Sequence, residues 1–265
     1  ATNAISDVYA MGGRPIMALA LVGMPINVLP AEVIARILAG GEAVCRAAGI
    51  PIAGGHSIDS VEPIYGLVAL GLVHPQLVKR NADARVGDRI ILGKPLGVGI
   101  LSAALKKDAV DASGYAKMIE ITTRLNTPGP ELAALPGVHA MTDVTGFGLA
   151  GHALELARAA QCSLNIEWSR VPLIDGVLKL AADGVVTGAS GRNFASYGHD
   201  IALPANFAPQ DRALLTDPQT SGGLLVSCAE DSVAAVLEIF QKHGFTSATE
   251  IGTVGTCGGA LLTIR

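Results

Sequence analysis

The sequence has 265 residues, of which 50% are hydrophobic and only 16% are charged. A chain of this length and composition buries a large core, which excludes a fibre, a disulfide-stapled miniprotein and a mostly disordered protein. The formal net charge is −4 and no cluster of basic residues is present, so nucleic acid is excluded as a partner.

The amino-terminal third of the sequence predicts two helices and three strands. In chain order these are a short helix capped by Thr2 and ended by Gly12-Gly13, a strand over 16–22, a helix that Pro30 opens and Gly49 ends, and strands over 50–53 and 64–73. The apolar run at 16–22 is unbroken, which favours a strand buried on both faces. A polar glycine loop over 54–60 separates the last two strands.

The segment 75–87 mixes charges with a proline and marks a domain boundary, after which strands and helices alternate again. The predicted elements are strands over 89–92, 138–141, 163–168 and 224–227, helices near 98–107, 113–125, 147–160 and 233–244, and a final pair of strands around Gly258-Gly259. Strands and helices that alternate in both halves indicate an α/β or α+β protein with two domains.

Two glycine-containing polar clusters lie in the amino-terminal third. In the first, Asn3 and Asp7 share a helix face, and an amide and a carboxylate four residues apart can hold a hydrated divalent ion. In the second, Gly54-Gly55-His56-Ser57, the missing side chains let backbone N–H groups approach an anion such as a phosphate. A surface aspartate, a plain turn and a simply hydrogen-bonded His56 are the alternatives that remain open.

Two further clusters lie in the carboxy-terminal part. Asp143 follows a predicted strand and precedes a helix for which Thr145 is a candidate N-cap, so Asp143 is either a second cap or a metal ligand. Asp7 and Asp143 on facing domains could together clamp magnesium on a polyphosphate. The segment 217–223 and Lys94 suit contacts to phosphate, although an ordinary turn and a solvated lysine explain them equally well.

The four cysteines, Cys45, Cys162, Cys228 and Cys257, show no CxxC spacing. This argues against a zinc site or a disulfide framework and favours a reducing cytoplasm. The uncharged stretch at 15–31 is interrupted by proline and glycine and is shorter than the roughly 20 residues that cross a bilayer, so no membrane span is predicted.

Taken together, the clusters resemble the selenophosphate synthetase (selenide, water dikinase) family, part of the aminoimidazole ribonucleotide (AIR) synthetase superfamily. The matching strings are Thr2–Gly13, Gly54–Asp59, Lys94–Gly97, Met141–His152 and Asp217–Leu225, in the family's order. Because they run from the first residues nearly to the last, the resemblance covers almost the whole chain.

The resemblance implies that ATP, selenide and water give selenophosphate, AMP and orthophosphate, with Mg²⁺ required. Asp7 matches the family aspartate that contacts ATP and its metal, and Asp143 matches the metal-binding aspartate of the second domain. Gly55, His56 and Ser57 match a backbone loop that contacts ATP.

The resemblance also implies a two-domain AIR synthetase-like fold, α/β followed by α+β, with an amino-terminal domain that is incomplete in this chain. Residues 1–80 would be the remainder of the ATP-binding and dimerisation domain, and residues 85–265 the carboxy-terminal α+β domain. Strands of the family's amino-terminal domain pair with those of a second subunit, so a homodimer is expected.

The family's reactive Cys or Sec and its lysine lie upstream of Ala1, so no catalytic residue is assigned within this chain. The sequence begins inside a motif, and we expect it to be part of a longer protein and inactive by itself. The alternatives are a non-catalytic fragment that dimerises or binds nucleotide, and another ATP-dependent enzyme of the superfamily.

Overall fold

The amino-terminal part of the protein is a three-stranded sheet with two helices, seen in a computed structural model that describes residues 1–265. Its elements are α1 (Thr2–Ala10), β1 (Arg14–Met24), α2 (Ala31–Ala47), β2 (Ile52–Asp59) and β3 (Ile64–Leu72). β1 is central, with β2 parallel on one side and β3 antiparallel on the other. Buried Ile5, Tyr9, Ala18 and Cys45 form the core between the helices and the sheet.

One face of this sheet has no helix on it, so the prediction that residues 16–22 are buried on both faces is wrong for the single chain. Leu21 on β1 is 44% exposed, and Val68 on β3 is 59% exposed. Leu19 pairs directly with Val68, so the apolar side chains of the two strands lie side by side. The result is an uncovered apolar sheet face, which a lone soluble domain rarely shows.

Residues 54–59 are not the loop that their glycines predicted, but part of the edge strand β2. Gly54 and Gly55 have φ values of +156° and +148°, which side chains rarely adopt. A Cβ on Gly55 would lie 1.9 Å from the carbonyl oxygen of Ala20. The two glycines therefore serve close strand pairing rather than a turn.

The carboxy-terminal part contains a seven-stranded sheet in the order β5-β8-β4-β9-β6-β10-β7. The strands are β4 (Arg89–Leu92), β5 (Val138–Asp143), β6 (Ser163–Ile166), β7 (Ile201–Ala202), β8 (Leu224–Cys228), β9 (Thr249–Gly255) and β10 (Leu262–Ile264). The predicted final strands, β9 and β10, lie on either side of Gly258-Gly259, but they do not pair with each other, because β6 lies between them and bonds to both.

Helices cover both faces of the larger sheet. They are α3 (Val98–Leu105), α4 (Ala112–Thr123), α5 (Gly129–Ala134), α6 (Gly148–Ala160), α7 (Val177–Ala182), α8 (Gly188–Tyr197), α9 (Pro209–Leu215) and α10 (Val233–Lys242). Ile90 and Leu92 of β4 face the core shared with α6, whereas Ile91 faces the core shared with α10. No helix combines the length and the hydropathy that crossing a bilayer requires.

Candidate active site

Helix α1 joins the two sheets. Its buried Ile5 and Tyr9 belong to the amino-terminal core, while Asn3 accepts a hydrogen bond at Oδ1 from the backbone N–H of Ser221, at 3.1 Å. Thr2 lies within the first helical turn and Ala1 holds the N-cap position, so the predicted capping role of Thr2 is wrong. The helix is thus held between the sheets, with Asn3 turned toward the carboxy-terminal part.

A buried chain of hydrogen bonds continues from α1 to Asp143, the last residue of β5. Ser6 Oγ donates to Asp143 Oδ2 at 2.6 Å, and Asn126 Nδ2 donates to Ser6 Oγ at 2.8 Å. Asn126 also donates to the carbonyl oxygen of Gly222, while its own Oδ1 is buried without a partner. These contacts fix one carboxylate oxygen of Asp143 and leave the other free.

Asp7 and Asp143 line the same cavity, of about 430 Å³, together with Met11, Arg80 and Thr142. Burial raises the pKa of Asp7, the charge of Asp143 raises it further, and His152 opposes the shift. Two carboxylates that repel each other in this way mark a place where a cation is favourable. The structure therefore brings together the two aspartates that the sequence had assigned to facing domains.

Carboxylate oxygens are the ligands that Mg²⁺ prefers, and magnesium commonly binds through one or two of them, with waters and substrate phosphates completing its shell. Asp7 and the free oxygen of Asp143 fit this donor set. The chain has no group of three or more His, Cys, Asp and Glu side chains that could hold a metal by themselves. The remaining ligands of an ion at this site would come from substrate and water.

The start of α6 differs from its prediction. The helix begins at Gly148 with Phe147 at the N-cap position, so Thr145 is not its cap. Thr145 Oγ1 instead lies 3.2 Å from His152 Nε2, and His152 Nδ1 lies 2.9 Å from Glu155 Oε2. His152 is thereby held in place near Asp7, although its spacing in the sequence did not suggest a site role.

Lys94 is neither solvated nor available to a phosphate, so both sequence interpretations of it are wrong. The residue is 2% exposed, and its Nζ donates to the carbonyl oxygens of Arg124 at 2.6 Å and Ser221 at 2.7 Å. Burial lowers the pKa of Lys94 to about 7, with a contribution from the Arg124 charge. Lys94 supports the loop that carries Ser221.

The segment 217–223 is mostly buried and its side chains bind backbone groups of the protein, so it is neither a phosphate loop nor a surface turn. Asp217 Oδ2 accepts from the backbone N–H groups of Gly99 and Ile100 at the start of α3, at 3.0 and 3.3 Å. Gln219 Oε1 accepts from the N–H groups of Gly97 and Val98. The polar groups of this segment therefore satisfy a helix start and position Ser221 against α1.

Gly55, His56 and Ser57 do not line the cavity that holds Asp7 and Asp143. They lie on β2, the exposed edge strand of the smaller sheet. Their assignment as a loop is wrong, and their contact with ATP stays a prediction. Within one chain, the structure does not unite these residues with the two aspartates.

Sequence reasoning missed Ser6 and Asn126, which bond Asp143 into the site. Ser6 precedes Asp7 and lies one helical turn after Asn3, so its position on the α1 face was a signal that could have identified it. Asn126 gave no such signal, because it lies in a loop between α4 and α5 and shares no predicted element with either aspartate.

The chain, with its two sheets joined by one helix, belongs to the class of AIR synthase related proteins. The model for the N-terminal domain of that family matches residues 1–73, and the model for the C-terminal domain matches residues 85–263. The fold is also that of thiamine-monophosphate kinase from Stenotrophomonas maltophilia (TM-score 0.75, 19% identity, 98% of this chain and 75% of that chain). Hydrogenase maturation protein HypE in complex with ATP is similar as well (TM-score 0.71, 17% identity, 99% and 73%). The expected two-domain fold is confirmed.

The similarity to curated relatives is much higher. The chain is 68% identical over 252 residues to the selenide, water dikinase of Burkholderia pseudomallei, which covers 95% of this chain and 71% of the relative. It is 66% identical to that of Pseudomonas straminea, with the same coverage, and 57% identical over 253 residues to that of Rhizobium meliloti, covering 96% and 72%. The chain belongs to the selenide, water dikinase family, as its motifs indicated.

Proposed function

We propose that this protein is a phosphotransferase that makes selenophosphate from ATP, selenide and water, with AMP and orthophosphate as the other products. The observation that supports this most strongly is 57–68% identity to selenide, water dikinases over at least 95% of the chain. The thiamine-monophosphate kinase and HypE similarities, at 15–20% identity, support the fold alone.

Asp7 and Asp143 would hold Mg²⁺, which when bound supplies positive charge to the phosphates of ATP. Ser6 donates to one oxygen of Asp143 and so orients the other toward the cavity. Arg80 also lines this cavity, with its guanidinium group paired to Asp83. In-line phosphoryl transfer depends mostly on such positioning and charge neutralisation, which is what these residues offer.

Residues 1–80 are proposed as the remaining ATP-binding and dimerisation domain, and residues 85–265 as the carboxy-terminal domain. Gly55, His56 and Ser57 are proposed to contact ATP. Their support is the exposed edge of β2, where backbone groups are accessible to a ligand. A cytoplasmic location is also proposed, in which the four free cysteines stay reduced.

The experiment that tests this function measures AMP and orthophosphate formed from ATP by the protein that contains this sequence, under anaerobic conditions, with and without selenide. AMP formation is expected to require selenide, and selenophosphate should appear in equal amount. Thiamine monophosphate replaces selenide in the control and should give no phosphorylated product. ATP cleavage that ignores selenide would overturn the proposal.

A homodimer is proposed through the uncovered apolar face of the smaller sheet, on which Leu21 and Val68 are 44% and 59% exposed. Leu21→Glu is expected to convert the dimer to a monomer, because it puts a charge into an apolar interface. Leu178→Glu is the matched control, since Leu178 on α7 is also 44% exposed but belongs to the other part of the chain. Light scattering at micromolar concentration measures the molar mass of each protein. A monodisperse monomer in the unmodified protein would contradict the proposal.

A further inference from the structure

A second cavity, of about 800 Å³, lies beside the one that holds the two aspartates. Its walls are the segment between the two sheets and the start of β5, and it is lined by Lys79, Arg80, Asp83, Arg85 and His139 among others. Arg80 also lines the aspartate cavity, so the two cavities are neighbours. The second cavity plays no part in the function proposed above.

The charges in this cavity are unbalanced toward the positive. Arg80 makes two hydrogen bonds of 2.8 Å to Asp83, the only carboxylate among the lining residues. The Arg80 hydrogen bonds lower the pKa of Asp83, and the charges of Arg85 and Lys79 add to the effect. Three cations therefore act on a single anion, and the guanidinium of Arg85 has no ion pair of its own.

Lys79 is held in place by its environment. Its Nζ donates to the carbonyl oxygen of Val138 at 2.6 Å. Burial lowers the pKa of Lys79, and repulsion from Arg85 lowers it further, while Asp83 opposes the shift. Two cations close enough to repel each other are stabilised when an anion binds between them.

His139 is fixed by a buried network behind the cavity wall. Asp88, 3% exposed, accepts from Ser227 Oγ at 2.6 Å and from the backbone N–H of Arg85 at 3.0 Å. Asp88 also lies 2.8 Å from His139 Nδ1, which must donate because the carboxylate accepts from its other partners. Nε2 of His139 is then the ring nitrogen without a partner in the protein, and as the lone-pair nitrogen of the neutral ring it can accept from the hydroxyl group of hydrogen phosphate.

We propose that this cavity binds a phosphate-type oxyanion through Lys79, Arg85 and His139, with Arg80 at its edge. Guanidinium groups and lysines are the side chains that recognise phosphate, and one unpaired arginine beside a lysine matches a small dianion. The single carboxylate, Asp83, keeps the net positive charge low, which disfavours an extended polyanion. The inference rests on this cavity alone and is independent of selenide chemistry.

The anion has two possible sources, free orthophosphate and the phosphate ester of a nucleotide. The test titrates the protein with potassium phosphate at constant ionic strength, with potassium chloride as the blank, by calorimetry and by NMR of the histidine side chains. Orthophosphate is expected to bind and to shift the His139 resonances. AMP is then added in competition with orthophosphate. If AMP displaces orthophosphate, the site also accepts a phosphate ester; if it does not, the site is specific for the free ion.

Arg85→Gln is expected to weaken orthophosphate binding about tenfold, because one charge-assisted contact is lost. The variant should fold normally, since the Arg85 side chain is exposed and makes no ion pair. Arg36→Gln removes an equally exposed arginine on α2 and should leave binding unchanged within about twofold. Equal affinity in both variants, or binding without any shift of His139, overturns the proposal.

Discussion

Asp143→Asn is expected to lower selenide-dependent AMP formation by about a hundredfold or more while leaving the melting temperature nearly unchanged. The substitution keeps an oxygen that can accept from Ser6 Oγ, which lies 2.6 Å from Oδ2 in the unmodified protein. It removes the negative charge that, together with Asp7, would bind magnesium. The expected loss therefore comes from metal binding and not from folding.

Steady-state rates against magnesium concentration, with a melting curve on the same sample, test this expectation. Part of the lost activity should return at high magnesium, and Asp7→Asn should behave in the same way. Asp183→Asn is the control, because Asp183 is exposed and pairs only with Lys179, a contact of little energetic value. Near-normal activity of Asp143→Asn at ordinary magnesium would end the metal-ligand assignment and leave Asp143 a structural residue.

The second large effect concerns stability against pH, and it depends on Asp217. Burial raises the pKa of Asp217 to about 7, although three hydrogen bonds to Oδ2 oppose the shift. An unfolded aspartate titrates near 3.9, so between about pH 4 and pH 7 the folded state holds a proton that the unfolded state has lost. The stabilising contribution of this group is therefore full below pH 4 and is lost as the pH rises through 7.

The side chain of Asp217→Asn cannot titrate, so the free energy of unfolding of the variant lacks this pH dependence. As the pH rises from 4 to 8, the unmodified protein should therefore lose about 4 kcal/mol relative to the variant, which is about three pKa units at 1.36 kcal/mol each. The amide oxygen can still accept from Gly99 and Ile100, and its nitrogen would take the place of Oδ1, which is buried without a partner.

Urea unfolding of the variant and of the unmodified protein from pH 4 to pH 8 measures the difference between their free energies of unfolding. The titration of Lys94 contributes equally to both proteins and cancels in this difference. Asp111→Asn makes the same chemical change at the exposed N-cap of α4 and serves as the control. If the curves of Asp217→Asn and the unmodified protein run parallel from pH 4 to pH 8, the prediction is wrong.

The residues differ in how far the sequence could predict them. Asp143 was identifiable because it follows an apolar strand and precedes a glycine-rich helix, and both features are local. The start of β2 was predicted as the strand over 50–53, but its continuation over 54–59 was not, because a Gly-Gly pair has the composition of a loop. Only the approach of Ala20 to Gly55 explains that part as a strand. The sequence could not predict the burial of Lys94, because the carbonyl oxygens that surround its Nζ come from residues 27 to 127 positions away.

Several helices were missed for the same kind of reason. Helix α8, Gly188–Tyr197, contains two glycines and two serines, which intrinsically favour turns. It is held by contacts that the sequence does not reveal, such as the hydrogen bonds from Ser190 Oγ to the carbonyl oxygen of Ala213 and from Asn193 Nδ2 to that of Thr216. Tertiary contacts outweighed propensity here, whereas the apolar periodicity of α6 and α10 sufficed to predict them.

The order of the larger sheet has a consequence for how the protein is made. β4 ends at Leu92, but its two neighbours, β8 and β9, begin at Leu224 and Thr249. At a synthesis rate of about 5–20 residues per second, β4 waits roughly ten to thirty seconds on the ribosome before both partners exist. The three strands of the smaller sheet seen in this chain all lie before Val73 and face no such delay. During that interval the apolar β4 lacks its partners, and an unpaired apolar strand is prone to pair with other chains.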